Sequence, residues 1–492
     1  MWLFILVPLA VAGILPLMAK ISKRVLPDIL GNLTMLFLLV YALISVGPIL
    51  QSGHIVFRSE EVGLPVHFTL ILDGLSLLLL ITISLISLAA TIFSIDYMEH
   101  YGAKGSYYSL FLLMVAGMNG LVLTADLFNL YVFLEVAAVS SYALVAFGLQ
   151  HDELEASFKY LMLSAVASAF LLLSLSVIFS LTGQLGLAEI SKSLPMLGLK
   201  KILSACIALF LMAFGLKAAI VPFHAWLPDA HPSAPAPISA MLSGVLIKVS
   251  GIYAISRIFL NVFGMTPALS QILMYLGLLS MVAGALIALG QPDFKRMLAY
   301  SSISQIGYII LGIGLGTPLG ILGALFHLLN HATFKALLFL NSGSVEYATG
   351  TRELAKMGGL SKKMPVTATT CMIGAFSISG VPPFNGFWSK LLIIIALIQA
   401  GYYGFAIVAI LSSVLTLWYL LLIHRRAFFG KLAEAWTKVK EVPFWMCLST
   451  GFLAVICLIV GIAFSFVIKS FISPGSQTLA QGLNYAKTIL GQ

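Results

Sequence analysis

Seven side chains able to exchange protons stand inside stretches that are otherwise apolar. Glu135 lies in Tyr-Val-Phe-Leu-Glu-Val-Ala-Ala, Lys217 in Gly215-Leu-Lys-Ala-Ala-Ile-Val-Pro222, and Lys248 in Gly-Val-Leu-Ile-Lys-Val-Ser-Gly. His327 and His331, with Lys335 beyond them, recur every four residues, the spacing that lines up one face of a helix. Lys390 closes Ser379-Gly-Val-Pro-Pro383-Phe-Asn-Gly-Phe-Trp388-Ser-Lys390. An ionisable group at bilayer depth is costly and marks a functional hypothesis by default. Burial disfavours charge, so a buried lysine releases and a buried glutamate retains its proton more readily, by up to about 3–5 pH units; histidine exchanges near neutrality with little help. Moving Glu135 towards or away from Lys217 would then bias the proton occupancy of that lysine. These groups together describe an ion path through the membrane, most simply one for protons.

Each residue also admits a purely structural account. A single buried lysine or glutamate can serve instead as half of an ion pair, and a lone histidine in an apolar helix is usually a hydrogen-bonded packing residue. A stabilising pair needs only two such groups, and here seven occur. The i, i+4 pair of His327 and His331 also has the spacing of metal or haem ligands, but no carboxylate or third ligand accompanies it on that helix. Asp73, early in its apolar run, fits function and helix-end solvation equally. Lys159, after His151-Asp-Glu-Leu-Glu155, suits snorkelling as well as relay. His224 follows Pro222, and Asp229 and His231 in Leu-Pro-Asp-Ala-His-Pro-Ser-Ala-Pro fit an entry funnel or a capping cluster beside the first break.

The elements that must position these groups are membrane helices. The 492 residues are 60% hydrophobic and 9% charged, against roughly 25% charged in a soluble domain, and the mean hydropathy is +1.06. Runs of about 20 apolar residues, the length of a spanning helix, fill nearly the whole chain. Fourteen helices are expected, over 1–19, 29–51, 68–96, 105–124, 126–149, 159–183, 201–227, 236–262, 267–290, 292–315, 317–343, 364–400, 404–429 and 443–472, with a short extramembrane hairpin over 52–66. The first run lacks a basic leader and reads as a spanning helix rather than a signal peptide. With the N-terminus outside, inside segments hold 16 of the 27 lysines and arginines and outside segments 7, which places both termini on the outer side of a cell membrane. The net charge of +9 therefore reflects topology rather than nucleic-acid binding. The four cysteines lie in apolar runs without ligand spacing, and no cofactor or metal is expected.

Two helices carry proline near mid-run, at Pro222 and at Pro382-Pro383. Broken backbone at membrane depth survives only where protein or a wet cavity satisfies it. Ala213-Phe214 before Pro222-Phe223-His224-Ala225-Trp226 echoes Ala375-Phe376 before Pro383-Phe384-Asn385-Gly386-Phe387-Trp388, and Ser157-Phe158-Lys159-Tyr160-Leu161 echoes Thr333-Phe334-Lys335-Ala336-Leu337. Both echoes place partners five helices apart, so consecutive five-helix units must be inverted. The fold expected is an all-α polytopic membrane protein: an N-terminal three-helix segment over 1–104, a first repeat over 105–262, a second over 263–429, and a last helix with a short tail over 430–492.

At these residues the chain resembles a family. Lys217-Ala-Ala-Ile-Val-Pro-Phe-His-Ala-Trp-Leu-Pro-Asp-Ala-His-Pro-Ser-Ala-Pro235, Asp293-Phe-Lys-Arg-Met-Leu-Ala-Tyr-Ser-Ser-Ile-Ser-Gln-Ile-Gly307 and Gly380-Val-Pro-Pro-Phe-Asn-Gly-Phe-Trp-Ser-Lys390 look like signatures of the proton-translocating antiporter-like subunits. These comprise the L-, M- and N-type subunits of complex I, the A- and D-type subunits of Mrp sodium/proton antiporters, and counterparts in membrane-bound hydrogenases. The resemblance implies Glu135 and Lys217 as a coupled pair, Lys248 as connecting lysine helped by His327 and His331, and Lys390 as terminal lysine. It also implies sister antiporter-like and small membrane subunits as partners, and protons, with or without sodium, as cargo. Lysine at 390 is similar to the D, N and L branches. The chain stops about twenty residues after the last expected helix, without the lateral helix of L- and A-like members. An Mrp-D-like subunit is therefore expected, in a stand-alone antiporter or a redox-driven hydrogenase or sulfur-reductase type complex; an M- or N-type subunit of complex I is the alternative. A self-contained transporter of organic solutes and a haem- or quinone-bearing redox subunit rank behind.

Overall fold

The computed structural model describes residues 1–59, 68–196, 198–432 and 434–491. Among them, thirteen helices are long and apolar enough to cross a membrane. These are α1 (Leu3–Ile21), α2 (Val25–Ser52), α3 (Gly74–Tyr101), α4 (Lys104–Leu123), α5 (Leu127–Val145), α6 (His151–Thr182), α7 (Lys200–Ala218), α8 (Ala236–Val262), α9 (Pro267–Leu289), α10 (Phe294–Leu315), α11 (Pro318–Thr349), α14 (Tyr403–Phe428) and α15 (Phe444–Ile462). Between α11 and α14 lie two shorter apolar helices, α12 (Pro365–Ser379) and α13 (Asn385–Gln399), in place of one helix over 364–400. The protein is a multi-pass membrane protein of the all-α class.

Several boundaries move for physical reasons. The helix expected from residue 68 begins at Gly74, because strand β1 (His54–Arg58) pairs antiparallel with β2 (Thr69–Asp73). Asp73 ends the strand and starts the helix, its carboxylate accepting from Ser76 N at 2.9 Å. Strand β1 falls within the hairpin expected over 52–66, whereas β2 lies beyond it in the expected helix; Gly63 and Pro65 lie outside the described residues. The helix expected from 159 starts at His151, where Gln150 and Glu153 close a capping box. The run to 227 stops at Ala218, ahead of Pro222.

Both interrupted helices end alike. After α7, Ala219 N donates to Leu216 O (3.2 Å) and Ile220 N to Gly215 O (3.0 Å); after α12, Gly380 N donates to Ser377 O (3.2 Å) and Val381 N to Phe376 O (3.0 Å). In each case the residue after the helix takes a left-handed conformation, Ala219 at φ 55° and Gly380 at φ 79°, which satisfies carbonyls that a stopped helix would orphan.

The middle of the molecule is formed by α3, α8, α10 and α11, buried along almost their whole length, while α1 and α2 turn Leu6, Leu17 and Leu33 outwards. Small residues let the central helices touch. A Cβ on Gly251 of α8 would sit 2.5 Å from Ala218 Cα, and one on Gly323 of α11 3.0 Å from Ile393 N of α13. Along α8 the backbone slips into π geometry at Leu242–Leu246, Lys248–Tyr253 and Arg257–Val262.

Candidate functional site: a row of buried polar groups

The row starts where α5, α6 and α7 meet. Lys217 lies in the last turn of α7, buried, where unsatisfied carbonyls favour a cation. Its Nζ stands 3.5 Å from Glu135 Oε1 and donates to Ser164 Oγ at 2.5 Å. Ser168, one turn along α6, donates to the same Glu135 oxygen. The glutamate keeps about a quarter of its side-chain surface exposed, whereas the lysine is 4% exposed. Trp226 secures the end of the broken helix: its Nε1 donates to Leu216 O at 2.9 Å and its ring stacks on Tyr160 at 4.2 Å.

The C-terminal turn of α7 packs on α8 three residues beyond Lys248, through Ala218 against Gly251. Lys248 is wholly buried, and its Nζ donates to Ser243 O at 2.5 Å. The π segments explain this partner, since a widened turn spoils the regular ladder and frees carbonyls for side chains. Ser243 Oγ also shares a hydrogen bond of 2.7 Å with Ser302 Oγ of α10. A Cβ on Gly244, beside it, would lie 3.4 Å from Ala332 O and 3.6 Å from Ala336 Cβ of α11.

On α11, His327 bridges Ser389 Oγ (2.9 Å) and Gln305 Oε1 (3.2 Å) through its two ring nitrogens. His331 lies parallel to it with centroids 6.2 Å apart, and among the described residues neither of its nitrogens has a hydrogen-bond partner. Lys335 donates to Leu298 O at 2.8 Å. Lys390 ends the row on α13, with Ser413 Oγ at 3.1 Å and the Tyr308 ring face at 4.8 Å.

The other expected groups divide. Lys159, 47% exposed, pairs with Glu155 (2.8 Å) and Asp229 (3.2 Å), and Asp229 also meets Arg296 at 3.2 Å; these form a surface network. Asp293 caps α10 through Arg296 N and pairs with Arg352. His224 is half-buried with Nδ1 unpartnered among the described residues. His231, in the short helix Leu227–Ser233 outside the spans, is fully buried against Phe339. Burial, with the Lys335, Lys248 and Lys295 charges nearby, holds its imidazole down at about 3, so it stays neutral.

Asp73 is not at a wet edge: it is buried, with Arg257 Nη2 at 2.7 Å and Tyr485 OH at 2.6 Å. Arg257 is likewise 2% exposed. Lys104 with Asp28 (2.7 Å) and Lys295 with Glu346 (2.8 Å) are further pairs in which a buried lysine meets a half-buried acid; the sequence reading gave neither lysine a role, although Lys295 falls within the Asp293–Gly307 motif. Each lies near a helix end, where its residue type alone suggests an interface charge. Opposite charges at loop ends of neighbouring helices were the signal available.

Fold and site together define an antiporter-type membrane subunit. Residues 124–416 match the family model described as NADH:quinone oxidoreductase/Mrp antiporter, transmembrane, and residues 60–112 that of NADH-ubiquinone oxidoreductase (complex I), chain 5 N-terminus. The chain belongs to this NADH:quinone oxidoreductase/Mrp antiporter family. It is 35% identical to the N-type subunit of NADH-quinone oxidoreductase of Desulforudis audaxviator, over 86% of each chain. It is 34% identical to the D-type subunit of the Na(+)/H(+) antiporter of Alkalihalophilus pseudofirmus, over 87% of this chain and 86% of that one. Among solved structures, a chain of the Mrp complex from Dietzia sp. DQ12-45-1b superposes with a TM-score of 0.92 at 29% identity, covering 99% of this chain and 98% of that one.

Proposed function

We propose that this chain moves protons along the row Glu135, Lys217, Lys248, His331 and His327, Lys390, as a subunit of a larger membrane complex of Mrp-D-like type. The observation that carries the reading is the Glu135–Lys217 pair at 3.5 Å, set at the broken end of α7 and backed by Ser164 and Ser168. A carboxylate next to a buried ammonium holds its proton in place; a small retreat of that carboxylate releases it to the next acceptor. Lys248, with a backbone carbonyl as its partner, receives it, the stacked histidines pass it on, and Lys390 delivers it on the far side. Asp229, His231 and His224 border the entry, while Lys335 biases the histidine segment by its charge; Lys159, Asp293 and Asp73 fix the surrounding structure.

Two inverted five-helix units over 105–262 and 263–429, and both termini on the outer face, complete the proposal. The partners are sister antiporter-like and small membrane subunits. A role like that of the N-type subunit of complex I is the second reading, favoured by the 35% identity to such a relative. The test is Lys217→Ala in the assembled complex reconstituted into liposomes. Proton transport falls at least about tenfold with assembly intact; undiminished, coupled transport would refute the relay. Mass spectrometry of the intact complex separates the parents, iron–sulfur chains marking a redox-driven machine and small antiporter subunits alone an antiporter.

A further inference from the structure

The Asp73–Arg257–Tyr485 cluster stands apart from the row yet shares a helix with it. Arg257 follows Lys248 by nine residues on α8, roughly 14 Å along the axis. Between them Tyr253 donates from its hydroxyl to Val122 O at 3.0 Å and accepts from Arg257 Nε at 3.4 Å. The guanidinium is enclosed: Asp73 at 2.7 Å, Ser76 Oγ and Asn261 Oδ1 each at 3.5 Å, and the rings of Tyr253 and Tyr485 at 5.4 and 4.8 Å. The gap lined by Ser76, Thr124, Tyr253, Arg257 and Tyr485 holds about 10 Å³, no more than one water needs.

Beyond it the molecule opens. A polar cavity of about 300 Å³, lined among others by Asp126, Gln184, Glu189 and Leu490, lies on the side of the β1–β2 hairpin. What separates cavity from cluster is the short helix Asn484–Leu490. Its Tyr485 closes over Asp73, and Ala486 and Ile489 pack on Ile71, Ala125 and Ala188. Asn261 anchors the approach to that helix by donating to Thr478 O (3.1 Å) and Gly482 O (3.2 Å).

We infer that Arg257, neutralised by Asp73 and lidded by Tyr485, is the barrier that closes the hairpin-side end of α8 to protons. Protons reaching Lys248 then have no exit there and must continue to Lys390. An arginine keeps its proton in any protein environment and so cannot pass one on, and a gap of about 10 Å³ leaves no room for the chain of waters that would carry a proton past it. The buried carboxylate makes that charge tolerable without opening the passage to water. This inference rests on the proposed proton path, since a barrier matters only if protons arrive at Lys248.

The test is passive proton leak through the assembled complex in liposomes, read as the decay of an imposed pH gradient under potassium–valinomycin clamp. Removing both charges together, Asp73→Asn with Arg257→Met, leaves no unpaired ion and raises the leak at least fivefold. Adding Lys248→Ala to that pair returns the leak to baseline, because it cuts the supply. Tyr485→Phe, which deletes one hydroxyl and leaves the packing, raises the leak about twofold and keeps the test valid if the charge-free variant does not assemble. A leak unchanged in the assembled Tyr485→Phe complex overturns the barrier. A raised leak that persists without Lys248 also overturns it, as the passage would not begin at that lysine. If instead Lys217→Ala leaves transport intact, the relay falls, while the leak of the charge-free variant is read separately.

Discussion

The two broken helices share a backbone and differ in their lysines. Their closing hydrogen bonds pair residue with residue: Gly215 with Phe376, Leu216 with Ser377, Ala219 with Gly380, Ile220 with Val381, and Phe223 with Phe384. In that register Lys217 falls opposite Ile378 and Lys390 opposite Asp229. Lys217 hangs before its break, at the carbonyl end of α7, with a carboxylate at 3.5 Å. Lys390 hangs after its break, inside α13, held by a hydroxyl at 3.1 Å and a ring face at 4.8 Å. The two breaks therefore share the interruption and not the position of the charge. One site holds its lysine by a carboxylate and a helix terminus, the other by a hydroxyl oxygen and an aromatic face. That asymmetry suits a path on which a proton is captured at Lys217 and given up at Lys390.

The comparison can be broken at its packing. Gly251→Val should be the most damaging change, because the new side chain meets Ala218 backbone atoms at 2.5–2.6 Å. Overpacking of this kind costs about 1–3 kcal/mol or more, and loss of the intact complex on native gels is the expected result. Lys390→Ala should keep assembly and lower transport at least about tenfold, as is expected of Lys217→Ala, if the two lysines act in series. The hydroxyls sharpen the contrast: Ser413→Ala should slow transport about two- to threefold, the low end of what one hydrogen bond of about 0.5–1.5 kcal/mol is worth. Ser164→Ala should do less, since Glu135 remains beside Lys217; transport rates at saturating gradient decide. The backbone contrast is finer still. Gly380→Ala forces a side chain into left-handed backbone and should cost about 1–2 kcal/mol, whereas Ala219→Gly relieves that strain and should leave the melting temperature unchanged or slightly raised.

Much of this was legible in the sequence because lipid makes charge conspicuous. Lys217, Lys248 and His331 stand out against neighbours that are almost all aliphatic, and the prolines at 222, 382 and 383 mark where helices must stop. What the sequence hides lies where the contrast fades. Arg257, Lys104 and Lys295 sit near helix ends, where a basic residue is ordinary, and only the packing of distant acids against them makes them interior. Thr69-Leu-Ile-Leu-Asp73 reads as the start of an apolar helix and becomes a strand because His54–Arg58 pairs with it. The π turns around Lys248 depend on how α8 is gripped by its neighbours, which no local pattern encodes. The echo between the two breaks was visible in Phe-containing motifs, but the sequence match of Ala213-Phe214 with Ala375-Phe376 is one residue out of step with the hydrogen-bond register.

The central claim is that Glu135 and Lys217 work as one unit. The direct measurement is a double-substitution cycle in the assembled complex, with proton transport in liposomes recorded for Glu135→Gln, Lys217→Met and the two combined. If the pair acts together, the combined variant transports no worse than the slower single variant, because the second change removes nothing further. Losses that multiply would contradict the account and leave the two residues acting independently.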